Sequence, residues 1–340
     1  MNRILSARSA GLRMAAILFA IALHPHVVWC EEPKELWTLK TDHNVEKFRC
    51  LSFSPDGKLI AAGVGHIVQI WDFPTLARRA DLKHVVSSKS IEFKLSINSI
   101  AFSPDGKLLA AGGMLGKITL WNVNTGKEKI AIEHHPIARD SEVTAIAFTP
   151  EGTSLISAGI NTPVRVWDVD SGKERRNLGK QKGLAVLAVS ADGKKLALGG
   201  SGPLRILDPS TDAVLGSFGS VEDVTSCLAF TPDGKSLAWA QWENMPKPIQ
   251  LLDVESGKVR ATITVDATVS SMAFSPNGKI LASHSSSGTR LWDSTSGKEL
   301  LAISSKSPLK GFVTFSPDSK VMAVAEESII KLWDVAKYAQ

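Results

Sequence analysis

The side chains with chemical potential in this 340-residue chain fall into four sets. His134 and His135 are its only adjacent histidines. Neighbouring side chains rarely converge on one ion, and no CxxC or HExxH spacing accompanies them, so the pair reads as surface loop rather than metal site. SHSSSG (283–288), around His284, has the outline of a nucleophile motif. A Gly-x-Ser-x-Gly elbow needs a strand-to-helix turn, whereas this segment reads as a hairpin loop with solvated polar residues. The third set is the Asp-Gly-Lys of FSPDGK, present at 53–58 and 102–107 and in looser copies beginning at Phe148, Phe230, Phe274 and Phe315. Catalysis does not need one acid in seven equivalent places, a calcium loop needs more than one carboxylate, and turn chemistry accounts for the repetition. The fourth set is the nine tryptophans, which could form a sugar or cofactor platform. Five of them, Trp71, Trp121, Trp167, Trp292 and Trp333, recur at one spacing, which points to packing. With no phosphate loop or dinucleotide fingerprint, the sequence predicts no catalytic, cofactor-binding or metal-binding residue and no cofactor.

The elements that must position these residues are set by a period. Phe53, Phe102, Phe148, Val189, Phe230, Phe274 and Phe315 stand 41 to 49 residues apart, each followed by a polar turn. A second landmark follows 18 to 22 residues later: Trp71-Asp72, Trp121-Asn122, Trp167-Asp168, Leu207-Asp208, Leu252-Asp253, Trp292-Asp293 and Trp333-Asp334. That makes seven units. Apolar alternation before the turn, as in Ile100-Ala101-Phe102, is strand periodicity. Pro104 presets φ, Asp105 tolerates the next position and Gly106 supplies a positive φ, so a hairpin with a bulge is expected. Each unit reads as four short strands.

The Trp-Asp dipeptide, four strands per unit and this period resemble the WD-repeat (WD40) β-propeller family, in the manner of secreted bacterial repeat proteins with FSPDGK turns. The resemblance covers residues 33–340 and implies an all-β, seven-bladed propeller of four-stranded antiparallel blades. KELWTL (34–39) matches KELLAI (298–303), a fourth strand elsewhere, so residues 34–40 are expected to complete the last blade and leave no open edge. Leu207 and Leu252 depart from the pattern, the family's Gly-His is mostly missing, and Gly65, Leu115 and Asn161 stand near the place of its turn Asp. The Asp–His hydrogen-bond network inside family blades is therefore not expected.

Residues 1–30 read as a secretory signal. Arg3, Arg8 and Arg13 precede MAAILFAIAL (14–23), too short to span a bilayer comfortably, and Val28 and Cys30 suit cleavage after Cys30. A retained anchor or a lipid on Cys30 is the alternative. Without this segment the net charge of +5 falls to +2, which offers no basis for nucleic-acid binding. Cys50 and Cys227 occupy equivalent positions in different units, so buried thiols are expected rather than a disulfide. The expected location is outside the cytoplasm, secreted or periplasmic, with no membrane contact beyond the signal.

Function, if legible, lies where the period breaks. From landmark to next aromatic is usually 22 or 23 residues, but 31 after Trp71 and 27 after Trp121; Phe230 to Leu252 is 22 against 18 or 19 elsewhere. The insertions are KHVVSSKSIEFKLS (83–96), EHHPIARDSE (133–142) and AQWENMPKPIQ (240–250). In the resembled family these connections emerge on one face, and insertions on one face of a repeat protein often mark its binding side. The candidate partner-binding residues are His84, Lys89, Phe93 and Lys94; His134, His135 and Arg139; and Trp242, Glu243 and Met245. The reading is a monomeric, non-catalytic module for a protein or peptide partner. The rival is a propeller enzyme (hydrolase, lactonase or quinone-dependent dehydrogenase) with a site at the channel mouth.

Overall fold

The computed structural model describes residues 33–40, 47–88, 91–134, 142–242, 247–305, 307 and 310–340, with the backbone alone for 86–88 and 91–93. Seven antiparallel sheets of four strands make up this part of the chain. Blade 1 holds Phe48–Phe53, Leu59–Val64, Ile67–Asp72 and Arg78–Lys83. Blade 2 holds Ile97–Phe102, Leu108–Gly113, Lys117–Asn122 and Glu128–Glu133. Blade 3 holds Val143–Phe148, Ser154–Gly159, Pro163–Asp168 and Glu174–Lys180. Blade 4 holds Lys182–Val189, Leu196–Ser201, Leu204–Leu207 and Val214–Phe218. Blade 5 holds Thr225–Phe230, Ser236–Gln241, Ile249–Asp253 and Val259–Ile263. Blade 6 holds Val269–Phe274, Ile280–Ser285, Gly288–Asp293 and Glu299–Ser304.

Blade 7 takes Gly311–Phe315, Val321–Glu326 and Ile329–Asp334 from the end of the chain, and Glu35–Lys40 pairs as its fourth strand. The closure expected from KELWTL is therefore present. Each blade's first strand lies against the next blade's, and Gly311–Phe315 lies against Phe48–Phe53, so the ring has no gap.

The Asp of the repeated turn is a strut. Asp105 Oδ1 accepts the Ser103 hydroxyl at 2.6 Å and the Lys107 N–H at 3.0 Å, while Ser103 Oγ accepts the Leu108 N–H at 2.9 Å. The same bonds recur at Asp56, Asp192, Asp233 and Asp318. These donors favour the ionised carboxyl and hold Asp105 below the usual carboxylate range, the Ser103 hydroxyl contributing most. The turns also interlock: Gly57 abuts Pro317, Gly106 abuts Pro55, Gly152 abuts Pro104 and Gly278 abuts Pro232, each from the preceding blade. Gly106 is favoured by its backbone conformation, φ 69°, which side-chain-bearing residues rarely adopt.

The landmark tryptophans Trp71, Trp121, Trp167 and Trp292 are buried between blades. Blade 5 exchanges two positions. Where blades 3 and 6 have Ser157 and Ser283 accepting the landmark Trp Nε1 at 2.7 and 2.8 Å, blade 5 has Trp239, and Leu252 takes the landmark place. Trp239 packs with Leu252 against blade 4 and donates to Thr225 Oγ1 at 3.2 Å. The indole volume is kept in the interface and enters from a different strand. Cys50 and Cys227 are buried and unbridged, and burial pushes both thiols up to about 12.

Candidate interaction face

Two classes of connection share one face of the ring. The His84 N–H donates to His66 O at 2.7 Å, His134 N–H to Gly116 O at 2.7 Å, Ile160 N–H to Glu142 O at 3.1 Å and Trp242 N–H to Val224 O at 2.6 Å. Each bond ties a link between blades to a turn between second and third strands. All three insertions therefore leave from this face, as the family resemblance implied. The first builds its own hairpin, Val85–Ser88 paired with Ile91–Lys94.

The candidate residues separate on burial. Trp242 is 60% exposed and Lys94 is exposed. Lys89, His135, Arg139, Glu243 and Met245 lie outside the described residues, as does the side chain of Phe93. His84 and His134 correct the sequence reading: both are fully buried. His134 Nδ1 lies 2.7 Å from Ser157 Oγ, and Nε2 lies 3.0 Å from Thr162 Oγ1. Ser157 Oγ also accepts the Trp167 indole N–H at 2.7 Å. A His–Ser–Trp network therefore exists in blade 3, with Thr162 at the turn where an Asp was sought. His84 Nδ1 sits 3.1 Å from Thr119 Oγ1, and burial, then Lys117 and His66, brings its pKa down to about 4. His284 also departs from the loop reading. It is buried in the second strand of blade 6, with Nδ1 2.9 Å from Thr289 Oγ1 and a pKa lowered to about 4 by burial.

His84 and His134 belong to a device that the sequence reading missed. The residue two places before the landmark reaches the link entering its own blade: Thr119 to His84, Arg165 Nη1 to His134 O at 2.6 Å, Arg205 Nη2 to Gln181 Oε1 at 2.9 Å, and Arg290 Nη2 to Asp266 at 2.5 Å. All seven units have a polar residue there: Gln69, Thr119, Arg165, Arg205, Gln250, Arg290 and Lys331. That recurrence was the available signal.

Around the axis, the first strands of blades 1, 2, 3, 5 and 6 carry a bulge at Arg49, Asn98, Thr144, Ser226 and Ser270. Several bulged side chains join consecutive blades. Arg49 Nη1 donates to Asn98 Oδ1 at 3.3 Å, Asn98 Nδ2 to Val143 O at 3.2 Å, Thr144 Oγ1 to Ala185 O at 2.6 Å and Ser270 Oγ to Gly311 O at 3.1 Å. Ser226 and Ser270 also line a cavity of about 570 Å³ spanning blades 4 to 6 and the link into blade 7. Its walls include Leu184, Val224 and Trp242, its hydroxyls include Ser201 and Thr268, and Lys310 stands at its margin. Leu184, 47% exposed, and Trp242 present apolar surface to solvent. Among the described residues, no group of three or more His, Cys, Asp or Glu could hold a metal ion.

Residues 34–72, 88–122, 126–168 and 257–293 match the family model described as WD domain, G-beta repeat. The chain carries a WD40 β-propeller domain. The matched segments leave out all of blade 4 and the first three strands of blades 5 and 7; blades 4 and 5 are the two with Leu207 and Leu252 in place of the landmark Trp. No curated protein matches the sequence.

Proposed function

We propose that this WD40 propeller is a non-catalytic interaction module that binds a protein or peptide partner on the face carrying the three insertions. The carrying observation is the cavity at the axial mouth beside Trp242, an exposed tryptophan on an inserted loop. Tryptophan is a favoured anchor because it buries a large area at small entropic cost. Propellers of this repeat class serve in general as scaffolds. We place the protein outside the cytoplasm, on the basic and then apolar segment 1–30, as a secreted WD40 protein with FSPDGK turns; fractionation of cells expressing the full chain tests this. The binding reading is tested with a photo-crosslinking amino acid at position 242 and, separately, at Lys107 on the opposite face. A partner that crosslinks at 242 and not at 107 supports it; equal capture at both positions refutes it.

A further inference from the structure

Resting on that reading, we propose that the mouth cavity takes an extended peptide whose Asp or Glu side chain pairs with Lys310 while a neighbouring apolar side chain packs on Trp242 and Leu184. The charge pattern carries the inference. Lys310 is the one charged residue among the described residues lining the cavity, it is exposed, and no carboxylate of the described residues pairs with it.

Several of the described acids around this face already have partners nearby. Asp223 accepts Lys247 Nζ at 3.0 Å, Asp266 accepts Arg290, Glu142 accepts the Asn98 amide at 3.3 Å, Glu327 accepts the Ser307 hydroxyl at 3.1 Å, and Glu326 lies 3.7 Å from His284 Nδ1. A ligand carboxylate would therefore meet an ammonium with no competing carboxylate among the described residues that line the cavity.

The remaining chemistry fits the same ligand. Ser226 and Thr268 place hydroxyl groups along the cavity. Hydroxyls can donate to a carboxylate or to peptide carbonyls without imposing a charge of their own. Trp242 and Leu184 supply the apolar wall. A volume of about 570 Å³ is in the range of specific ligand sites, enough for a few side chains and not for a folded domain. A side-chain carboxylate suits the site better than a C-terminal one, whose capture characteristically uses a nest of backbone N–H groups.

The test is selection of a random heptapeptide library, displayed without free C-termini, on the full chain and on Lys310→Glu and Trp242→Ala. The expected result has three parts. Wild type enriches peptides with Asp or Glu beside an apolar residue. Trp242→Ala retains none of them, and Lys310→Glu weakens a selected acidic peptide about tenfold or more and selects Lys- or Arg-bearing peptides instead. Peptides that depend on Trp242 but show no acid preference and ignore Lys310→Glu overturn this proposal and leave the interaction reading standing. Failure to select any Trp242-dependent peptide overturns this proposal at its root, and the crosslinking comparison then decides the broader reading separately.

Discussion

Gly311→Ala is the sharpest probe of how the ring is packed. In the second strand of each blade, one position faces the first strand of the next blade: Gly63, Gly112, Ala158, Gly199, Ala240, His284 and Ala325. Three of the small residues face bulk. Gly63 meets Ile97, Gly112 meets Val143 and Gly199 meets Thr225. Between blades 6 and 7 the sizes reverse, with the imidazole of His284 over Gly311. Gly311 pairs with Glu326, the place that Phe48, Ile97, Val143, Thr225 and Val269 take in their own blades. A methyl on residue 311 would fall inside the van der Waals surface of His284 Nε2, with Cδ2 2.7 Å and Ala325 O 2.8 Å away. Overpacking of this kind costs ~1–3 kcal/mol, and replacing a strand glycine returns ~0.5–1 kcal/mol. The net loss should be ~1–2 kcal/mol. His284→Ala removes the obstacle and a buried Nε2 that has no hydrogen-bond partner, at the cost of a void. In the double variant, the methyl introduced at position 311 then fills part of that void. The double variant should therefore be more stable than the sum of the singles by ~1 kcal/mol or more. Urea unfolding followed by tryptophan fluorescence measures the cycle, and additivity within ~0.5 kcal/mol would refute the packing argument.

Four further outcomes are expected. His84 and His284 stay neutral in the fold to about pH 4, against an ordinary value of 6.5. Between those values the unfolded chain holds more protons, so stability is full above pH 6.5 and declines as pH falls toward 4, by up to ~3 kcal/mol per histidine. A urea midpoint that is flat from pH 7 to 4.5 would contradict the assignment. Trp239→Ser in blade 5 should cost ~3–5 kcal/mol as a large cavity; adding Leu252→Trp should restore a measurable part, and no recovery in the thermal midpoint would sink the exchange. Deleting residues 33–40 opens an edge on Ile329–Asp334, so faster aggregation and a lower melting temperature are expected, checked by light scattering during heating. Val214–Phe218 is the one outer strand of the seven without a charged residue, and Val214 and Leu215 are exposed. Leu215→Lys should slow heat-induced aggregation with a stability change within ~0.5 kcal/mol, and an unchanged aggregation rate would count against that edge.

Much of the architecture was legible because it repeats. Phe-Ser-Pro-Asp-Gly-Lys and Trp-Asp recur at a period that only stacked four-stranded units explain, and KELWTL stood out as a fourth strand without a blade. The Asp of the turn could be assigned as structural on the same ground, and its bonds to Ser103 and Lys107 show how it acts. The histidines were not legible. His84 and His134 sit at the mouths of insertions, where linear context reads as loop, yet each reaches a hydroxyl on a third or second strand 23 to 35 residues away. His284 was hidden for another reason: its room comes from Gly311, on the next blade.

By itself the sequence determined the class, the number of blades, the turn chemistry and the closing strand. These follow from local periodicity and from short-range conformational preference, which act within a single unit. Only the tertiary structure decided which polar residues are buried, how Trp239 replaces the volume missing at Leu252, and where Trp242, Leu184 and Lys310 meet around one cavity. Those outcomes depend on contacts between blades. A residue's neighbour there is set by the curvature of the whole ring, and nothing in its own stretch of sequence encodes it.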